Sequence, residues 1–448
     1  MTNSRHTPTF NMKVVVRETG LKPDTLRAWE RRYGMPDPKR TAGGHRLYSQ
    51  YEIDMLKWLI ARQDEGLSIS HAVELWHQII KEGNDPIKEE AHEIEPEPVV
   101  HISGEMVAAL CDQWVDACLE FDEYKAQHIL AQAFARYPTE VVCFEILQKG
   151  LVKVGQGWYE GKVSVQQEHF ASALAIRQLE ALLAASPQPV HDTRILVACP
   201  PNELHTFSPL ILALLFRRRG YDVVYLGANV PIERLETAVS TIHPQLVIIS
   251  AQTLHTASLM LPMAQQLYEM NIPLAYGGAV FSYLEDARKP IPGHYLGNKL
   301  QNVPDVVKKL LKSPQSPSPE TTISPAYQAA LDHFVGRRSA IEADLQKAGS
   351  FDNIAVNLLQ YANHDLGNNI EAALMLGNMD LLAVNINWVK GLLMNYHYKM
   401  PDELMHKYIN MYYQAAKNNL EDAGVPILEW FSRLLSSEKT LRPMRQDN

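Results

Sequence analysis

Four short apolar runs, at 194–199, 222–226, 246–250 and 273–276, do most to restrict the folds open to this chain. They are separated by longer stretches with helical spacing and followed by a further helical stretch near 303–312. Alternation of strand and helix calls for a parallel sheet wrapped by helices on both faces, because parallel neighbours can be joined only by a crossover. Residues 192–312 are therefore expected to form a flavodoxin-like, Rossmann-like doubly wound α/β domain. Such folds take ligands beyond the carboxyl ends of their strands. Glu203–Leu204–His205 falls in the loop after the first run, Ser250 ends the third, and Gly277–Gly278 follows the fourth. All three lie at that end, and a glycine pair lets a ligand approach the backbone closely.

Residues 101–187 keep helical periodicity throughout and are expected to form a four-helix bundle. Trp114, Cys118, Phe121 and Leu130 punctuate the early helices, and Phe144, Ile146 and Leu147 form a later stripe. Trp158 differs from these core positions. It follows Gly155–Gln156–Gly157, which is expected to break the helix and expose its neighbour. Nine residues then separate it from Glu168–His169, a polar pair where a core would hold apolar side chains.

The amino-terminal region reads as helix, tight turn at Gly20, and second helix, with Asp24 or Thr25 as its cap and Pro36–Asp37–Pro38 ending it. The second helix carries Thr25, Arg27, Arg31, Arg32 and Tyr33, the residue types that reach phosphates and base edges. Two glycines between Arg40 and His45–Arg46 suit a β-hairpin wing, and helices are expected at about 50–65 and 68–82. Charge agrees: residues 1–60 carry a net +5 while the remainder carries −14, so a basic module is joined to an acidic body. The acidic, proline-bearing stretch 83–100 is expected to be a linker. No apolar run reaches the roughly 18 residues that span a bilayer. The four cysteines lack metal-ligand spacing, and MTNSRHTPTF lacks a signal-peptide core. A cytoplasmic protein without membrane partners is expected.

Residues 12–82, with the string TLRAWERRYG…R..GGHRLYS, resemble the winged helix-turn-helix of the MerR family. The resemblance implies binding to a double-stranded DNA operator as a dimer or tetramer, since one module reads only a half-site. The bundle followed by the α/β domain resembles the cobalamin-binding unit of corrinoid proteins, and most closely that of MerR-family light-responsive repressors of carotenoid genes. Their first fingerprint, Trp, nine residues, Glu–His, is met by Trp158, Glu168 and His169, with Val165 at the intermediate place. The second, Glu/Asp-x-His-x-x-Gly, is met by Glu203 and His205, with Ser208 in the glycine position. Ser250 and Gly277–Gly278 also match. The resemblance implies that His205 ligates cobalt from below, oriented by Glu203, and that Trp158, Val165, Glu168 and His169 line the upper face. It implies adenosylcobalamin, or methylcobalamin, as cofactor, with light breaking the cobalt–carbon bond and changing the oligomer. In those repressors a histidine follows the tryptophan and takes cobalt after photolysis; here Tyr159 stands there, and a phenol is a poor ligand at neutral pH.

After a linker at 313–325, residues 326–438 read as a further all-α domain. One reading is a helical oligomerisation or capping domain. The other rests on the layout of photocobilins, which resemble this order of domains, and implies a globin-like domain holding biliverdin near His364 or His397. No cysteine follows Cys199, so such a bilin would be non-covalent. The expected function is a cobalamin-binding, light-regulated transcription factor and not an enzyme. Two alternatives stand beside it: a corrinoid-dependent methyl-transfer or radical enzyme component, and a light-independent cobalamin or redox sensor.

Overall fold

The computed structural model describes residues 7–41, 44, 46–64, 69–81, 105–312, 315–347, 356–383 and 402–436. The chain divides into two compact units, Met1–Pro98 and Val99–Asn448.

The first unit runs β1 (Phe10–Asn11), α1 (Met12–Thr19), α2 (Pro23–Tyr33), β2 (Lys39–Arg40), β3 (Arg46–Tyr48), α3 (Gln50–Asp64) and α4 (Ile69–Lys81). β3 is the middle strand, antiparallel to both others, with Phe10 opposite Tyr48 and Arg40 opposite Arg46. α1 and α2 each end on a left-handed glycine, Gly20 and Gly34, where a residue without Cβ is least strained. Two expectations are corrected. Lys22 occupies the N-cap of α2, because Pro23 already fits the first helical position, so Asp24 and Thr25 lie inside the first turn. Pro36 and Pro38 follow a helix that Gly34 has already stopped. Val15, Leu26, Trp29, Leu56, Trp58, Leu59 and Trp76 fill the core. His45 and the expected linker 83–100 lie outside the described residues.

The second unit opens with α5 (Glu105–Leu119) and α6 (Glu123–Phe134). A π-helical stretch, Val142–Gln148, then runs into α7 (Lys149–Tyr159), and α8 (Val165–Ala184) follows. The expected break at Gly155–Gln156–Gly157 does not occur, and α7 continues to Tyr159. Gly157 is needed for close approach instead, since a Cβ there would come 2.6 Å from Val163 Cγ2.

The α/β part comprises β4 (Arg194–Ala198), α9 (Phe207–Arg218), β5 (Asp222–Gly227), α10 (Leu235–Ile242), β6 (Leu246–Ser250), α11 (Leu254–Glu269), β7 (Leu274–Gly277), α12 (Ala279–Tyr283), β8 (His294–Tyr295) and α13 (Val303–Leu310). All neighbours are parallel and the strand order is β5-β4-β6-β7-β8, the flavodoxin arrangement. The edge strand β8 is two residues long and has no apolar run to announce it.

The two faces of this sheet have different covers. Ile195, Val197, Leu246, Ile248 and Ala275 pack with α9, α13 and the α5–α8 bundle in one core. Leu196, Val247, Ile249, Leu274 and Tyr276, one residue out of phase, pack with α10 and α11 in the other. That second core continues without interruption into α14 (Pro325–Lys347), α15 (Val356–Met375), α16 (Asp402–Leu420) and α17 (Val425–Ser436). The expected linker is not a free tether over 315–324 either. Leu274 N donates to Ser316 Oγ at 3.0 Å, and Glu320 N donates to Lys289 O at 2.8 Å.

Gly150, in α7, lies under the fully buried Trp114, and a Cβ there would come 2.7 Å from two carbons of its indole. Gly150→Ala should therefore destabilise the second unit by about 1–3 kcal/mol through overpacking, read as a lower denaturant midpoint.

Candidate functional site

The site is built from loops at the carboxyl ends of β4, β6 and β7. Glu203, in the loop after β4, is fully buried, while the His205 side chain beside it is 70% exposed. A buried carboxylate must be met by donors. Oε1 accepts from His205 N at 2.9 Å and from His205 Nδ1 at 2.6 Å. Oε2 accepts from Gln252 N and from Thr256 Oγ1, both at 2.7 Å. Burial pushes the Glu203 pKa up, but the bonds from His205, Thr256 and the two amides outweigh it and hold the carboxyl below its ordinary value. An ionised carboxylate only accepts, so Nδ1 carries the imidazole proton and Nε2 keeps a free lone pair aimed outward. The hydrogen bond that His205 donates to Glu203 raises the pKa of His205 against burial, with the charges of Glu203 and Glu168 adding to it. A more basic imidazole is a stronger donor to a metal once deprotonated.

Glu168 thus acts on His205 from the bundle side. The capping box of Ser164 and Gln167 starts α8, and Gln167 Nε2 also donates to Leu119 O at 2.8 Å, which pins that start to the end of α5. Val165, Glu168 and His169 are set by this turn. Glu168 binds His169 Nδ1 at 2.8 Å and accepts from Ser172 Oγ at 2.7 Å. Trp158 is half-buried at the end of α7. The Tyr159 side chain lies outside what is described.

The other strand ends complete the lower side. Ser250 Oγ accepts from Gln252 Nε2 at 3.0 Å, and Gln252 Oε1 accepts from Ala279 N at 2.9 Å. The two glycines differ. Gly278 has φ +124° and a Cβ there would come 1.8 Å from Ala251 O, so the fold itself demands glycine. Gly277 has no such reason, because a Cβ would meet only Leu296 at 4.0 Å. Gly277, the 70% exposed Leu204 and the exposed His205 imidazole all lie at the carboxyl ends of the strands, where folds of this kind take ligands. Ser208 sits half-buried in the first turn of α9. A cavity of about 160 Å³ lies in the bundle between Trp114, Leu130, Leu174 and Arg177, and none of these strand-end residues lines it. Gln252 and Thr256 were not foreseen from sequence; the Thr253–Thr256 capping box that places them has no glutamate or glutamine to mark it.

In the first unit, α2 presents Arg31 and Arg32 exposed, and Thr25 half-buried. Arg27 pairs with Asp24 at 3.0 Å, and Tyr33 hydrogen-bonds Ser70 at 3.2 Å. Arg46 is held by both oxygens of Glu30 at 2.8 and 3.2 Å, with Arg40 at 3.4 Å, so these two cations brace the hairpin against α2. In α15, His364 is exposed, and its ring contacts Asn368 at 3.2 Å and Arg338 at 3.4 Å. His397 lies outside the described residues. No helix among the described residues is long and apolar enough to cross a membrane.

Residues 10–78 match the MerR HTH family of regulatory proteins, and residues 110–183 and 193–297 match two families each described as a B12 binding domain. The HTH-type transcriptional repressor CarH of Myxococcus xanthus is 31% identical over 60% of this chain and 89% of its own length. CarA of the same organism is 33% identical over 54% of this chain and 76% of its own. Among solved structures, the monomethylamine corrinoid protein of Methanosarcina barkeri is 15% identical, covers 45% of this chain and 98% of its own, and has a TM-score of 0.40.

The C-terminal helices supply a pH test. Burial pushes the Asp365 carboxyl up to about 6, against the opposing effects of His364 and Asn369. A carboxyl raised in the folded state destabilises it while ionised, so stability should rise as pH falls from about 6 towards the unfolded value of about 4. Asp365→Asn should add about 2 kcal/mol at pH 7 and lose that advantage by about pH 4, as followed by urea unfolding across pH.

Proposed function

The chain belongs to the family of the HTH-type transcriptional repressors CarH and CarA, and from that premise we propose that it is a transcription factor whose DNA binding light controls through bound adenosylcobalamin. It is a cobalamin-binding transcriptional regulator with a MerR-type reader. The observation that carries the cobalamin part of this reading is the buried Glu203, which accepts from His205 Nδ1 at 2.6 Å and leaves Nε2 of an exposed imidazole open.

His205 would take the cobalt from the sheet side, with Glu203 holding the opposite nitrogen. Ser250 and Gly277 would border the lower part of the ligand, and Gly278 would keep that strand end open. Trp158, Val165, Glu168 and His169 would cover the upper face. Bound adenosylcobalamin would supply a cobalt–carbon bond that light breaks. Trp158, Val165, Glu168 and His169 would hold the bundle to the upper group, and without that group the bundle would be free to shift on the sheet. Thr25, Arg27, Arg31, Arg32 and Tyr33 are the proposed DNA contacts on α2, with Arg40, His45 and Arg46 on the wing. Two or four readers gathered in one oligomer would bind an operator by avidity, and separating them would release it. This reading needs one chromophore. Methyl transfer would leave the DNA reader without a role.

Full-length protein loaded with adenosylcobalamin in the dark should lose DNA affinity and change its oligomer on green illumination, measured by gel shift on fragments selected in the dark and by light scattering. DNA binding that follows cobalamin but ignores light would replace this reading with a cobalamin sensor. Glu203→Gln should weaken cobalamin binding about 10–100-fold by equilibrium dialysis, because it removes the acceptor that orients His205.

A further inference from the structure

Helix α11 begins at the ligand site and lies between the sheet and the C-terminal helices. Its first turn carries Thr256, which donates to Glu203 at 2.7 Å. The preceding residue, His255, accepts through Nε2 from the Asn202 side-chain amide at 3.3 Å. Asn202 adjoins Glu203 in the loop that presents His205, and its backbone is left-handed at φ +62°. Its N–H donates to Asn229 Oδ1 at 2.8 Å, so both ends of Asn202 hold this loop in place.

Helix α11 packs along α15 of the C-terminal helices, and the other ring nitrogen of His255, Nδ1, is buried without a hydrogen-bond partner among the described residues. Burial lowers its pKa, and Glu371, Arg338, the Asn368 backbone and His364 all act on it. Arg338, on α14, is fixed from α15 by Glu371 Oε1 and Asn368 Oδ1 at 2.8 Å and by His364 O at 2.7 Å. Glu342 on its own helix holds it at 3.0 Å. Gly367 makes room for it, since a Cβ there would come 2.6 Å from the guanidinium carbon. A half-buried polar cluster of this size can be merely structural. Its position gives it more to do: it ties α14 to α15, and α15 packs along α11, the helix that carries His255 and the Thr256 bound to Glu203.

We propose that His255 is a positioning residue for His205, and that the C-terminal helices set how firmly His205 is held through the packing of α15, fixed by the Arg338–Glu371 pair, against α11. The inference rests on the cobalamin reading. Residues that orient a metal-bound imidazole from behind govern its affinity, and a loop anchored on α11 moves with α11. The C-terminal helices then act as an input to the site, with α11 as the shared element.

The test titrates full-length wild-type and variant proteins with hydroxocobalamin and adenosylcobalamin in the dark. Absorbance reports whether a lower nitrogen is bound to cobalt, and thermal unfolding reports folding. His255→Leu should weaken binding about tenfold and shift the spectrum towards the form lacking the lower nitrogen. Arg338→Gln should move both readouts the same way by a smaller factor. The double variant should be no weaker than His255→Leu alone, because both act on the ligand loop through the His255–Asn202 bond at the start of α11. His255→Gln, whose side-chain oxygen can accept from Asn202, should restore wild-type behaviour, and it carries the test together with Arg338→Gln if the leucine variant does not fold. Folded variants with unchanged affinity and spectra overturn the proposal. So do losses that add in the double variant, or a glutamine variant as impaired as the leucine one. A wild-type protein that binds no cobalamin sinks the reading beneath it as well, and is recognised by the absence of any bound spectrum.

Discussion

A carboxylate taken out of water has to be answered by protein donors, and the second unit is arranged to answer Glu203. Its four partners come from its own loop, from the loop after β6 and from the first turn of α11. No single element could supply them. The loops must be brought together by a parallel sheet whose strand ends lie side by side, and the register of β4 with β6 does this. The bonds also do chemical work. They keep the carboxylate ionised, which places the proton on Nδ1 and leaves Nε2 as the one ring nitrogen of His205 open to a metal.

The sheet that holds these loops is buried on both faces, which explains why its strands read as unbroken apolar runs. Each face serves a different neighbour. The face carrying Ile195, Val197 and Ile248 belongs with the bundle, and the one carrying Leu196, Val247 and Ile249 belongs with the C-terminal helices. Among the described residues, two separate cores are therefore built on the two faces of the same sheet. A change in the bundle and a change in the C-terminal helices can both reach the loops at the strand ends, from opposite sides. This is the architecture expected of a site that answers to more than one input.

Much of the site could be read in the chain because its chemistry is local. Glu203 and His205 are two residues apart, Ser250 ends an apolar run, and Ser164–Gln167 is a capping box on its face. What could not be read depends on packing. Gly155 and Gly157 looked like a break, yet α7 continues through both because tertiary contacts outweigh the modest helix penalty of glycine. Nothing near Arg46 in the sequence announces Glu30, sixteen positions earlier, which holds its guanidinium with two bonds and braces the hairpin against α2. Gly277 and Gly278 looked alike, but only Gly278 is required by a neighbouring carbonyl.

From the sequence alone come the class of fold, the order of its parts, the basic reader and the Glu203–His205 pair at the end of the first strand. Each is written in periodicity, charge or short spacing, which the chain displays without folding. Only the tertiary structure decided that α14 to α17 share one core with a face of the sheet, and that Gln252, Thr256 and Asn202 hold the loop of Glu203 and His205. The reason is physical. Alternation along a strand says that a face will be buried, but not which distant helices will bury it. A buried carboxylate needs donors, yet their identity follows from which loops the finished sheet brings together.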